Sequence, residues 1–168
     1  MKKKVLSEQL LFSGKVSMPN GFEINLEKLS KNILDSLITK SEFKFSKNWD
    51  MLNTYIIENI NLKHGLRLEN KKMWGNVYRP KERTHTLLEA DPFDLKNSPD
   101  YTLLYGVDVE NCFIKISYDD NRFKGEGYDI ELKNNMFIIF PSTNTYTISN
   151  KQTENLNLIH TIVYNEYK

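Results

Sequence analysis

The period of the apolar residues changes at Gly65, and this change constrains the fold more than any other feature of the sequence. Before Gly65, apolar residues recur every three or four positions, as on one face of a helix. After Gly65 they alternate with polar residues over short runs that end in turn-forming residues. The sequence therefore predicts leading helices followed by strands, without the crossover helices of a parallel sheet.

Two amphipathic helices are predicted in the N-terminal part. The first covers residues 26–38, with Asn25 as its N-cap. The second begins near Ser46 and ends at His64, where Gly65 suits the C-terminal cap. The apolar stripe of each helix is predicted to face a core.

The part of the chain after Gly65 predicts short strands separated by turns rich in Asn, Asp and Pro. The predicted strands are Leu66–Leu68, Met73–Tyr78, Thr84–Glu89, Tyr101–Val107, Cys112–Tyr118, Tyr128–Leu132, Met136–Phe140, Thr145–Ser149 and Leu156–Tyr164. This pattern favours an α+β fold with an antiparallel sandwich or jelly roll. The 168 residues are predicted to form one domain, with residues 1–64 as a helical support region and residues 65–168 as the strands.

Composition and charge exclude several functional classes. The chain has 23 Lys and Arg against 22 Asp and Glu, so it lacks the basic surplus that nucleic-acid binding needs. No apolar run approaches the roughly 18 residues of a membrane span. Its one cysteine, Cys112, excludes an intrachain disulfide and indicates a reducing, intracellular origin. We therefore expect a soluble protein.

The histidines are the only strong candidates for metal ligands. His64 ends a helix and is interpreted as a capping or surface residue. An iron(II) site needs a second histidine and a carboxylate, and the residue two positions after His85 is Leu87. Glu89 shares the predicted strand face one pleat further on. The sequence leaves two alternatives open: a metal site of His85, Glu89 and His160, or ordinary structural and surface histidines.

Other possible sites have simpler explanations. Gly125-Glu126-Gly127 indicates a hairpin, because no helix follows to bind phosphate. Phe140-Pro141-Ser142 lacks the glycines of a nucleophile elbow. Asp119-Asp120-Asn121 lacks the remaining residues of a calcium loop, and Cys112 is predicted to be buried in a strand.

Four segments together resemble a known family. They are Met73–Pro80, His85, Met136–Ser142 and the closing strand Leu156–Tyr164. They resemble the small 2-oxoglutarate and iron(II)-dependent oxygenase-like proteins of tailed phages of marine bacteria. The resemblance implies a double-stranded β-helix (jelly roll) from Trp74 to Tyr164, preceded by the two N-terminal helices as support.

The same resemblance implies that the catalytic motif is degenerate. Where active members have His-x-Asp or His-x-His, this chain has His85-Thr86-Leu87. Tyr146 stands about where the resemblance implies the distal histidine. Asn155-Leu156-Asn157 replaces the arginine that would hold 2-oxoglutarate. We therefore assign no catalytic, cofactor-binding or metal-binding residue and no cofactor.

The resulting functional prediction is a non-catalytic virion component that acts in assembly through protein–protein contacts. It would contact other phage structural proteins or itself, first in the host cytoplasm and then in the virion. One alternative is an iron(II) oxygenase in which His85, Glu89 or Asp91, and His160 converge as an atypical ligand set. Another is a cupin-like module that binds a small ligand inside the barrel.

Overall fold

A computed structural model describes residues 9–17, 25–39, 47–121, 124–151 and 154–167. Both predicted helices are confirmed: α1 covers Leu26–Thr39, and α2 covers Lys47–His64. The backbone N–H of Lys28 donates to Oδ1 of Asn25 at 2.9 Å, so Asn25 is the N-cap. Gly65 follows α2 with a φ of 68°, a left-handed conformation that glycine adopts without steric cost.

Eight strands form two antiparallel sheets. They are β1 (Phe12–Lys15), β2 (Leu68–Tyr78), β3 (Tyr101–Asp108), β4 (Cys112–Asn121), β5 (Lys124–Leu132), β6 (Met136–Pro141), β7 (Thr145–Asn150) and β8 (Asn157–Glu166). The major sheet has the order β1-β6-β3-β8-β2, and the minor sheet has the order β5-β4-β7. Every pairing between these strands is antiparallel. This arrangement confirms the α+β jelly-roll prediction.

The structure corrects the predicted strands in three places. The predicted strand at residues 73–78 is part of a longer strand, β2, which begins at Leu68, the last residue of the predicted strand 66–68, and has a bulge near Asn70. Strand β1 was not predicted, because four residues with a single large apolar side chain carry little periodicity. The predicted strand Thr84–Glu89 is not regular and meets β7 only at isolated bridges. There Oγ1 of Thr84 accepts from the N–H of Ile148 at 2.9 Å, in place of a ladder carbonyl.

Two apolar cores lie on opposite faces of the major sheet. The helix-side core lies between this sheet and the two helices, and Trp49 of α2 is fully buried in it. The inter-sheet core lies between the two sheets and contains Cys112 and Ile159. Close packing of α1 depends on Gly75, since a Cβ there would lie 2.5 Å from Cγ1 of Ile33.

Strand β8 lies between β3 and β2, and its residues from Asn157 to Tyr164 are buried. Successive side chains of a strand point to opposite faces, so β8 supplies residues to both cores. Within the described residues, neither helix has both the length and the apolar composition that crossing a membrane requires.

Candidate functional site between the two sheets

The structure does not bring the predicted metal ligands together. His85 is exposed to solvent, and Asp91 lies on an exposed loop where its Oδ1 accepts from the N–H of Phe93. His160 is fully buried in the helix-side core. Within the part of the chain that the structure describes, no group of three or more His, Cys, Asp or Glu side chains is placed to hold a metal ion. The ligand set of His85, Glu89 or Asp91, and His160 is therefore not assembled.

The alternation of β8 explains the position of His160. Ile159 lies in the inter-sheet core, so the next residue points to the helices. The imidazole of His160 stacks on the indole of Trp49, with ring centroids 3.8 Å apart and planes inclined by 26°. Burial lowers the pKa of His160 to about 3, against the opposite effect of a hydrogen bond with the backbone of Trp74. His160 is therefore a neutral core residue at neutral pH.

Three other side chains meet between the sheets, and we call Leu87, Glu89 and Tyr146 the bridge site. Leu87 and Tyr146 are paired across the strands by two backbone hydrogen bonds of 2.8 and 3.0 Å. Glu89 lies two residues after Leu87, and the phenol of Tyr146 donates to its Oε1 at 2.5 Å. The predicted position of the distal ligand is thus occupied by a tyrosine that is bonded to a carboxylate.

Burial and charge keep the phenols of this region protonated. The pKa of Tyr146 is raised, first by burial and then by the charge of Glu89 and the hydrogen bond to it. The pKa of Tyr78 is also raised, mainly by burial and further by the nearby ionisable groups of Cys112, Glu82 and Glu89. A neutral phenol donates a hydrogen bond and is a weak ligand for a divalent cation, since metal ligands are deprotonated.

A second polar group occupies the beginning of β8. Nδ2 of Asn157 donates to Oδ1 of Asn150 at 2.8 Å and to the carbonyl of Glu110 at 3.0 Å. Oδ1 of Asn157 accepts from the N–H of Glu110 at 2.9 Å. Nδ2 of Asn150 donates to the carbonyl of Arg79 at 2.7 Å. The asparagine that replaces the expected arginine therefore uses both of its amide hydrogens within the chain.

Two further polar pairs line the inter-sheet face of the major sheet. The hydroxyls of Thr102 and Ser142 lie 2.7 Å apart and are fully buried. Nδ2 of Asn76 donates to Oγ1 of Thr161 at 3.0 Å. These pairs were not predicted, because the alternation of a strand shows which residues share a face with Thr161 but not which partners they meet. These inward polar groups satisfy one another.

The comparisons with known proteins identify the fold. No family model matches the sequence, and no curated protein sequence is significantly similar to it. A prolyl-4-hydroxylase from Pseudomonas putida matches with a TM-score of 0.67 and 12% identity, over 94% of this chain and 88% of that chain. The viral collagen prolyl hydroxylase of Paramecium Bursaria Chlorella virus-1 matches with a TM-score of 0.66 and 13% identity, over 94% and 96%.

The epimerase SnoN from nogalamycin biosynthesis, which is α-ketoglutarate-dependent, gives a TM-score of 0.64 at 12% identity, over 92% of this chain and 76% of that chain. Such low identities show the fold alone. The chain thus has the double-stranded β-helix fold of the 2-oxoglutarate and iron(II)-dependent oxygenases, as the sequence resemblance implied.

The residues of the site do not fit the groups that this fold class binds. An iron(II) oxygenase site takes two histidines and a carboxylate with open positions. The bridge site offers one carboxylate, Glu89, beside a leucine and a neutral phenol. A co-substrate carboxylate is best held by a guanidinium, and β8 begins with the bonded amide of Asn157 instead.

Proposed function

We propose that this protein is a non-catalytic member of the oxygenase fold class and acts by binding other proteins. The observation that carries the proposal is the 2.5 Å hydrogen bond from Tyr146 to Glu89, beside Leu87. This bond pairs Glu89, the one carboxylate of the bridge site, with the neutral phenol of Tyr146. The amide network of Asn157 supports the same conclusion at the position expected for the co-substrate.

The proposal also accounts for how a metal site could be lost at the bridge site. Leu87 and Tyr146 are directly opposite each other, and Glu89 shares their face of the sheet. Two histidines at positions 87 and 146 would complete a set of two imidazoles and one carboxylate. In this proposal the backbone still brings positions 87, 89 and 146 together, while two of the three side chains are unsuitable as metal ligands.

A variant with two new histidines tests this proposal. We expect Leu87→His combined with Tyr146→His to bind Co(II), with the absorption bands of a nitrogen and oxygen ligand set. The wild type and the control Leu87→Ala combined with Tyr146→Phe should not bind it. Circular dichroism of each variant establishes that it is folded. Binding by the wild type would contradict the proposal, and a folded double-histidine variant without binding would contradict the retained geometry.

The proposed setting is a phage particle, in which the protein contacts other structural proteins or itself. The sequence resemblance to oxygenase-like proteins of tailed phages supports this setting. The protein would be made in the host cytoplasm and then enter the virion. Mass spectrometry of purified particles should detect the chain in a constant ratio to a known capsid protein. Its absence from particles, together with its presence in infected cells, would contradict the virion setting.

A further inference from the structure

The loop between the bridge site and β3 exposes three large apolar side chains. Phe93 is 98% exposed, Leu95 is 60% exposed and Leu88 is 40% exposed. Single apolar residues on a surface are ordinary, but several on one short loop are typical of a contact site. We call residues 88–100 the apolar loop.

Hydrogen bonds hold the apolar loop in one conformation. Oδ1 of Asp91 accepts from the N–H of Phe93 at 2.9 Å, and Oγ of Ser98 accepts from the N–H of Asp91 at 2.7 Å. Nδ2 of Asn97 donates to the carboxylate of Asp94 at 2.9 and 3.0 Å. Because these hydrogen bonds already order the backbone of the loop, the backbone loses little conformational entropy on binding and is pre-organised for a partner.

Two backbone hydrogen bonds attach the loop to the scaffold. The N–H of Ala90 donates to the carbonyl of Ser142 at 3.2 Å, and the N–H of Ser142 donates to the carbonyl of Asp100 at 2.9 Å. Both ends of the loop therefore rest on the turn that leads from β6 to β7. This attachment fixes the direction in which Phe93 is presented.

The charges around Phe93 define the partner. The loop contains four acidic residues, Glu89, Asp91, Asp94 and Asp100, and one basic residue, Lys96. Asp91 and Asp94 flank Phe93 and are exposed. An apolar side chain between two carboxylates is complementary to an apolar pocket with a basic rim.

We propose that the apolar loop docks Phe93 and Leu95 into an apolar pocket, rimmed by Lys or Arg, on a different protein. A second copy of this chain is disfavoured, because a symmetric contact through the loop would bring the Asp91 and Asp94 carboxylates of both copies together. The inference rests on the proposed function and names the binding surface that it requires.

Photo-cross-linking tests the surface in the full chain. Phe93→p-benzoylphenylalanine is produced in cells that naturally express the protein, and Leu62→p-benzoylphenylalanine is the control. Leu62 is 84% exposed and lies on α2, away from the loop in sequence. We expect a cross-linked product at position 93 only, with a different protein at a surface that carries Lys or Arg. No product, the same product from both positions, or a product with a second copy of this chain would overturn the proposal.

Binding measurements between this chain and the purified partner, identified by the cross-link, complete the test. Phe93→Ser and Leu95→Ser should each weaken binding about tenfold or more, as loss of an interface hot spot does. Leu62→Ser should bind like the wild type, and added salt should weaken wild-type binding. Equal affinities for all variants would overturn the proposal. Metal binding by the wild-type chain tests the proposed function separately, since Phe93 and Leu95 do not belong to the bridge site.

Discussion

The two faces of β8 differ in how they use polar residues. On the helix side, Tyr164 and His160 lie within apolar packing: the phenol of Tyr164 donates to Oδ1 of Asn53 at 2.7 Å, and His160 stacks on Trp49. On the inter-sheet side, Asn157 and Thr161 hydrogen-bond to side chains of neighbouring strands. The helix side is thus a mainly apolar core with separate polar contacts, whereas the inter-sheet side holds several polar side chains that bond to one another.

Under the proposed function, this difference explains how an oxygenase fold can keep its structure without metal ligands. The inter-sheet polar groups are bonded to one another, as in the pair of Tyr146 and Glu89. Buried polar groups that satisfy each other cost little, whereas removing one partner leaves the other without a bond. We therefore expect the helix side to be sensitive to lost volume and the inter-sheet side to be sensitive to lost hydrogen bonds.

The largest effect is expected on the helix side. Trp49→Ala removes a fully buried indole and its contact with His160, and should lower the free energy of unfolding by about 3–5 kcal/mol. Urea denaturation measures the change. The matched control Leu62→Ala, at an exposed position of the same helix, should change stability by less than about 0.5 kcal/mol. Equal effects of the two substitutions would show that the helix-side core is not packed as described.

Acid should destabilise the helix side through His160. Its pKa is about 3 in the folded chain and about 6.5 when unfolded, so the unfolded state binds a proton first as the pH falls. The contribution of neutral His160 to the free energy of unfolding is fully present above pH 6.5 and is lost progressively as the pH falls towards 3. Between pH 7 and pH 4 the loss should be about 3 kcal/mol.

His160→Phe removes this titration and keeps an aromatic ring on Trp49. Urea denaturation at several pH values gives the free energy of unfolding as a function of pH. Its decline in acid, the acid limb, should be less steep for this variant than for the wild type. His85→Gln, which replaces an exposed histidine, should keep the wild-type acid limb. The same acid limb in His160→Phe as in the wild type would mean that His160 is not the group responsible.

On the inter-sheet side, the amide network should respond most strongly. Asn157→Ala removes three hydrogen bonds and leaves the backbone N–H and carbonyl of Glu110 without this partner. We expect a loss of about 2–3 kcal/mol in the free energy of unfolding. Asn155→Ala, in the exposed segment just before β8, is the control and should have little effect. An unchanged stability for Asn157→Ala would show that the network is not structural.

The smallest effect is expected at the bridge site. Tyr146→Phe removes the hydrogen bond to Glu89 and should cost about 1 kcal/mol, because the half-buried Glu89 can be hydrated instead. Tyr128→Phe, at an exposed position of β5, should change stability by less than about 0.5 kcal/mol. Thermal denaturation compares the two variants. A loss above about 3 kcal/mol would indicate that the phenol has buried partners besides Glu89.

The sequence predicted most of the fold because local patterns determined it. The Asn25 cap and the Gly65 stop each reported a local geometry that the structure confirms. The irregular segment at Thr84 was missed because a side chain there replaces a backbone acceptor. Strand β1 depends on pairing with the distant β6, which no local pattern reports.

The site was harder to predict because it depends on which face each residue occupies. Placing His85 and Glu89 on one regular strand face suggested a shared site, yet His85 is exposed and Glu89 contacts Tyr146. The alternation of β8 already separated His160 from Ile159, but it did not show which face the helices cover. The position of Tyr146 came from the family resemblance, and its bond to Glu89 required the structure.

The most direct test of the central claim is an anaerobic calorimetric titration of the chelator-treated wild-type chain with Fe(II), with and without 2-oxoglutarate. Glu89 and Tyr146 are hydrogen-bonded to each other, and Asn157 is hydrogen-bonded to the backbone of Glu110. We therefore expect no specific binding of the metal and no enhancement by 2-oxoglutarate. We also expect an unchanged unfolding temperature, since a ligand stabilises a protein only when it binds the folded state. Tight binding of Fe(II) that 2-oxoglutarate strengthens would contradict the claim and show that the oxygenase site is functional.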